Sequence, residues 1–153
     1  MIKRVVIMTN IAILVGTTLG GSEYIADEMM SQLEALGHQV SLYLSPNLSE
    51  LDSKHLWIIV CSTHGAGDLP DNIQPFCSEI MLHTPDLSHI QFALCAIGDS
   101  SYDTFCQGPE KLIYAIESCG GKAFVDKIQI DVQQDPVPED PALAWLSQWQ
   151  DII

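Results

Sequence analysis

The chain has 153 residues, enough for one domain with a substantial core, and its 47% apolar and 17% charged residues exclude a disordered chain. Twenty acidic against six basic side chains leave a net charge of −14. That excludes nucleic acid as a partner, disfavours an anionic membrane surface, and steers the protein toward partners with basic docking faces.

Lys3 and Arg4 precede apolar residues, but Thr9 and Asn10 interrupt the run and no small-residue cleavage site follows. No secretion signal is expected; either Met8 is an internal start or residues 1–7 are an N-terminal extension. No apolar stretch reaches the length of a membrane span. Ile11–Val15 is a short apolar run ended by glycine, as a buried strand is. A helix is expected from about Ser22 to Leu36, with Ile25, Met29, Leu33 and Leu36 on one face and Gly37 as its cap. Gln39–Leu44 alternates like an edge strand, and Leu56–Cys61 is a second buried strand. A helix over Asn72–Leu82 turns Ile73, Phe76, Cys77 and Ile80 inward. Gln91–Ile97 is the next strand, Pro109–Cys119 the next helix, and Ala123–Ile130 the fifth strand. The last helix starts at Asp140-Pro141, with Asp140 as N-cap, and buries Trp145, Leu146, Trp149 and Ile152.

Strands alternating with helices imply an α/β fold: a doubly wound, three-layer domain with five parallel strands in the order 2-1-3-4-5 and helices on both faces. Five cysteines, odd in number and without C-x-x-C spacing, read as reduced thiols of a cytoplasmic protein. Cys106 stands out among them because it falls in a loop.

Ligands of such a sheet bind where strand order reverses, between the first and third strands. The loops after the first, third and fourth strands meet there. The first, Gly16–Ser22, offers the hydroxyls of Thr17, Thr18 and Ser22, the flexible Gly20 and Gly21, and a helix start. It lacks the lysine of a triphosphate loop, so it suits a terminal monophosphate; the bland alternative is a capping turn. The second, "STHGAGDLPDN" from Ser62, lets Gly65 and Gly67 approach a flat ligand and puts His64 either beside a ring or simply in a polar loop. The third, "GDSSYDTFCQG" from Gly98, carries Tyr102 as a stacking platform, while Phe105 packs the loop onto the sheet. Asp99 and Asp103 with Asp68 or Asp71 are the competing metal-ligand reading.

"GTTLGGSEY", "CSTHGAGDLPDN" and "GDSSYDTFC" resemble the three FMN-binding loops of short-chain flavodoxins. The likeness runs from residue 10 to the tail. It implies one flavodoxin-like domain over residues 1–153 that binds FMN and carries electrons, and it implies no bond chemistry by the protein itself. By resemblance, Thr17, Thr18, Leu19, Gly20, Gly21 and Ser22 hold the phosphate, Leu19 through its N–H alone because it replaces a usual hydroxyl. Ser62, Thr63, His64 and Gly65 run along one face and edge of the ring. His64 stands where the family often has an aromatic, and the peptide at Gly65 turns its carbonyl toward reduced flavin N5. Tyr102 covers the other face, with Gly98, Asp99, Phe105 and Cys106 completing that loop. The resemblance also implies a flavodoxin reductase upstream and acceptor enzymes such as biotin synthase downstream. No large apolar stripe demands a dimer, so a monomer is expected. The rival is a stand-alone FMN-dependent reductase, for which the chain lacks a nicotinamide-binding domain.

Overall fold

A computed structural model describes residues 9–51 and 54–153. The expected extension over residues 1–7 lies outside the described residues. The elements are β1 (Asn10–Gly16), α1 (Gly21–Ala35), β2 (Gln39–Tyr43), β3 (Leu56–Ser62), α2 (Gln74–His83), β4 (Gln91–Gly98), α3 (Gln107–Ser118), β5 (Lys122–Ala123), β6 (Ile128–Asp131) and α4 (Glu139–Trp149). The sheet is parallel throughout, in the order β2-β1-β3-β4-β5, with β6 also on β4. The expected 2-1-3-4-5 order is therefore observed, with the fifth strand in two pieces.

Side chains alternate across the sheet because successive residues of a strand face opposite ways. Ala12, Leu14, Trp57, Ile59, Phe92 and Leu94 pack under α2 and α3. Ile11, Ile13, Val15, Ile58, Val60, Ala93 and Cys95 pack under α1 and α4. Both faces are covered, which is why β1, β3 and β4 read as unbroken apolar runs. Burying each large aliphatic chain contributes about 1.5–3 kcal/mol. The sheet's interior strands are thus a stiff base for the loops at their carboxyl ends.

Four expectations need correction. The fifth strand is not continuous from Ala123 to Ile130. Phe92 pairs with Ala123 and Cys95 with Ile128, so two extra residues loop out between them. The loop is held by α4: Trp145 Nε1 donates to Asp126 O at 3.1 Å, and Phe124 meets Trp149 edge-on at 5.1 Å. Leu36 is not on the buried face of α1, because Gly37 at φ 93° turns the chain away. Asp140 is not the N-cap of α4; it lies in the first turn, and Pro138 precedes the helix without a side-chain cap. Ile152 is 70% exposed, since the chain tightens into a 3-10 turn over Gln150–Ile152 and leaves the α-helical stripe.

Candidate functional site

The three rim loops meet as the strand order requires. In the first loop, Gly20 sits at φ 94° immediately before α1, a conformation that suits glycine. Its N–H donates to Thr17 Oγ1 at 2.8 Å, closing a tight turn. The first amides of α1 have no acceptor within the helix, so they and the helix dipole face outward as an anion site. Ser22 is buried, and its Oγ has no hydrogen-bond partner. A buried hydroxyl left unpaired costs about 1–3 kcal/mol, so this atom asks for a ligand oxygen. Leu19 is 97% exposed.

Asn72 ties this loop to the rest of the rim. Its Oδ1 accepts the Thr17 N–H at 2.9 Å, and its Nδ2 donates to Val15 O at 2.6 Å and Leu44 O at 2.8 Å. One amide thus joins the ends of β1 and β2 to the segment before α2. That use of the side chain and the turn at Pro70 delay the helix, which starts at Gln74 and not at Asn72. Sequence reading assigned Asn72 to a helix start. The available signal was an Asn following Pro70 in a rim loop, carrying both donors and an acceptor.

In the second loop, His64 and Asp68 exchange both backbone hydrogen bonds, at 2.7 and 2.8 Å. The three residues between them form a narrow turn, with Gly65 at φ 54° and Gly67 at φ 92°. His64 Nδ1 lies 3.3 Å from Thr18 Oγ1, which couples this turn to the first loop. Behind the turn, the Gly108 N–H donates to Thr63 Oγ1 at 3.1 Å. A Cβ on Gly108 would collide with the Asp68 carbonyl oxygen, so α3 approaches the loop as closely as only glycine allows. Lys111 Nζ meets Asp68 Oδ1 at 2.7 Å and holds that carboxyl below its usual range. Both partners are half exposed, so the pair adds little to stability.

The third loop leaves β4 at Gly98, where a Cβ would stand 2.7 Å from the Phe105 ring and 2.8 Å from Cys106 Sγ. Phe105 thus packs the loop onto the sheet, as expected. Asp99 Oδ1 accepts from the Ser101 N–H at 2.9 Å and from Ser101 Oγ at 2.6 Å, while Oδ2 accepts from Gln133 Nε2 at 3.1 Å. The hydrogen bonds from Ser101 hold the Asp99 carboxyl below its usual range. This ionised state favours folding above the usual carboxylate range, and the contribution is lost as pH falls through the lowered value. Tyr102 stands above the loop, 64% exposed.

Together the loops border an open cleft of about 360 Å³. Thr18, Leu19, Ser62, Thr63, His64, Gly65, Gly98, Asp99, Tyr102, Phe105 and Cys106 line it, along with Ile97, Thr104 and Val132, which sequence reading missed. Thr17, Gly20, Gly21 and Ser22 lie outside its lining, in the anion-binding turn. None of the described lining residues is a lysine or arginine. Amides, hydroxyls and a helix end therefore have to hold any phosphate. An exposed ring, a glycine turn and an apolar floor suit a flat aromatic ligand. The donor set fits FMN. It does not form a metal centre: among the described residues no group of three or more His, Cys, Asp or Glu side chains converges.

Cys106, singled out by its place in a loop, is not exposed. It is buried just before α3 in the left-handed region, at φ 54°. Burial foremost, then the negative charge of Asp131, push its thiol up to about 11. Burial likewise pushes Cys61 up to about 12 and raises Cys77 and Cys95. With the native protein at pH 8, a thiol-specific disulfide reagent is expected to modify Cys119, the half-buried one, and to reach all five cysteines only in denaturant. Rapid native labelling of Cys106 would contradict this.

Comparison with known proteins agrees with this geometry. A family model described as Flavodoxin matches residues 13–145. The protein MioC of Escherichia coli K12 is 37% identical over 146 residues, which is 95% of this chain and 99% of MioC. Flavodoxin YqcA of the same organism is 32% identical over 149 residues, 95% of this chain and 99% of YqcA. The solved structure of an alanine-for-cysteine mutant of Pseudomonas aeruginosa flavodoxin superimposes with a TM-score of 0.85 at 30% identity, covering 92% of this chain and 96% of that one.

Proposed function

The chain belongs to the flavodoxin family, whose members bind FMN and carry electrons without being enzymes in their own right, and from that premise we propose how it does so. The FMN phosphate sits in the turn Thr17–Ser22, held by hydroxyls, amides and the start of α1. Ser62, Thr63, His64 and Gly65 run along one face and edge of the ring system. Tyr102 stacks on the other face, with Gly98, Asp99, Phe105 and Cys106 beneath its loop. The single observation that carries this assignment is the buried, unpartnered Ser22 Oγ in the turn beside a cleft whose described lining holds no lysine or arginine.

FMN supplies the one-electron chemistry when bound. The protein's share is to orient the ring, keep water from it and set its electrostatic surroundings. Tyr102 excludes solvent from one face. Gly65 sits at φ 54°, in a turn region that glycine enters without the penalty of a Cβ, which eases turning of its peptide. The net charge of −14 opposes the negative charge that the cofactor would take on with its second electron. A unit charge at about 10 Å contributes roughly 0.4 kcal/mol in a water-like dielectric, less with salt.

Electrons arrive from a flavodoxin reductase and leave to acceptor enzymes with basic docking faces, biotin synthase being one acceptor of fitting chemistry. The chain works as a monomer folded as one domain. The five unpaired cysteines suit the reducing cytoplasm. No described helix is long and apolar enough to cross a membrane.

The test is reduction of the FMN-loaded protein by NADPH, with and without a flavodoxin reductase, across a range of ionic strength. Reduction is expected only with the reductase, and its rate is expected to fall as salt rises, because steering of an acidic protein to a basic face is screened. A salt-independent rate would count against electrostatic docking. Reduction by NADPH alone would favour the stand-alone reductase.

A further inference from the structure

Asp131 ends β6 and does not line the cleft, yet its carboxylate is the buried anchor of the loop that carries Tyr102. Gly98 and Asp131 are register partners across β4 and β6, and the Val132 N–H donates to Gly98 O at 2.9 Å. Beyond that point Asp131 Oδ1 accepts two backbone hydrogen bonds at 3.0 Å, one from Ser100 in the Tyr102 loop and one from Gln133 on its own turn. Its backbone oxygen accepts from the Gln134 and Asp135 N–H groups, at 3.0 and 2.9 Å, so the turn itself is closed. Gln133 then returns to the loop through its bond to Asp99 Oδ2. The Tyr102 N–H donates to Asp99 O at 3.1 Å, which completes the path to the ring.

We propose that Asp131 is a positioning residue for bound FMN: its carboxylate fixes the height and tilt of the Tyr102 loop from the rigid end of β6. This rests on the FMN reading of the cleft. The chemistry explains the choice of an acid. One oxygen serving two amides is strengthened by charge. The residue is 9% exposed, so few waters can replace its carboxylate. Without it the Ser100 and Gln133 amides lose their acceptor. The loop then lifts toward solvent to satisfy them, taking Tyr102 with it.

Asp131→Ala and Asp131→Asn separate this from a general structural role. Asparagine keeps an acceptor oxygen, and alanine does not. The FMN dissociation constant, measured by fluorescence titration, is expected to rise roughly tenfold to a hundredfold in the alanine variant and to stay within about threefold in the asparagine variant. The complex of the alanine variant should also recover flavin fluorescence that Tyr102 quenches in the parent. In the FMN-free protein, amide exchange should accelerate at Ser100 and Tyr102 and be unchanged in β1 and β3. Gln133→Ala, which leaves β6 intact, should raise the dissociation constant by roughly threefold to tenfold.

An unchanged dissociation constant in Asp131→Ala would overturn the proposal. So would equal losses in both Asp131 variants with exchange accelerated across the whole sheet, which is the signature of a merely structural residue. Failure of the parent protein to bind FMN would instead refute the cofactor reading, and this proposal with it.

Discussion

Replacing Tyr102 by alanine is expected to weaken FMN binding by roughly fivefold to a hundredfold and to raise the potential of the second electron. A stacked aromatic contributes about 1–3 kcal/mol per base-sized ring. Tyr102 is 64% exposed, so burial in the core does not account for a large ring at that position. In the proposed complex the ring would also keep water from one flavin face, where full reduction would place a negative charge. Alanine admits water, which stabilises that charge. A change of about 1.4 kcal/mol corresponds to 59 mV for one electron, so a shift of tens of millivolts is the expected scale. Titration and spectroelectrochemistry read both effects. Tyr102→Phe should keep most of the affinity, since the ring remains. A potential that does not move in Tyr102→Ala would remove the stacking role.

Replacing Asn72 by alanine is expected to cost about 2–4 kcal/mol of unfolding free energy and to weaken FMN binding as well. Three hydrogen bonds are lost together, each contributing about 0.5–1.5 kcal/mol net. They join Thr17, Val15 and Leu44, so the phosphate turn loses its attachment to both β2 and the segment before α2. Asn72→Asp is the sharper probe. It keeps an acceptor for the Thr17 N–H but sets a carboxylate against two carbonyl oxygens, close to the phosphate turn. Its FMN affinity should therefore fall below that of Asn72→Ala. Urea unfolding of the FMN-free protein and FMN titration measure the two effects separately. An Asp variant that binds FMN as well as the parent would show that Asn72 does not govern the turn.

Much of the site was legible because its loops are chemically unusual over short spans. Gly20, Gly65 and Gly67 all adopt positive φ, and hydroxyl residues cluster at one helix start. These are properties of neighbouring residues. Phe105 was expected to pack the loop onto the sheet, and its ring does lie against Gly98. Cys106 was read as a loop thiol, and it is buried; the small and polar residues that open its loop, Gly98–Ser101, hid the fact that Phe105 and Cys106 turn back against Gly98. Val132 joined the cleft without any local signal, because its place depends on where β6 meets β4.

The sequence by itself determined the alternation of strands and helices, the doubly wound order, the three rim loops and the family. Apolar periodicity and glycine conformation act within a few residues, so they survive being read one segment at a time. The tertiary structure alone decided which polar side chains hold those loops in place. Asn72 reaches Val15 across 57 positions and Asp131 reaches Ser100 across 31. It also decided the break between β5 and β6, where the tryptophans of α4 draw two residues out of the strand. Such contacts depend on the register of distant strands and the packing of whole helices. A hydrogen bond forms only when donor and acceptor are brought within about 3 Å, and no local pattern encodes that meeting.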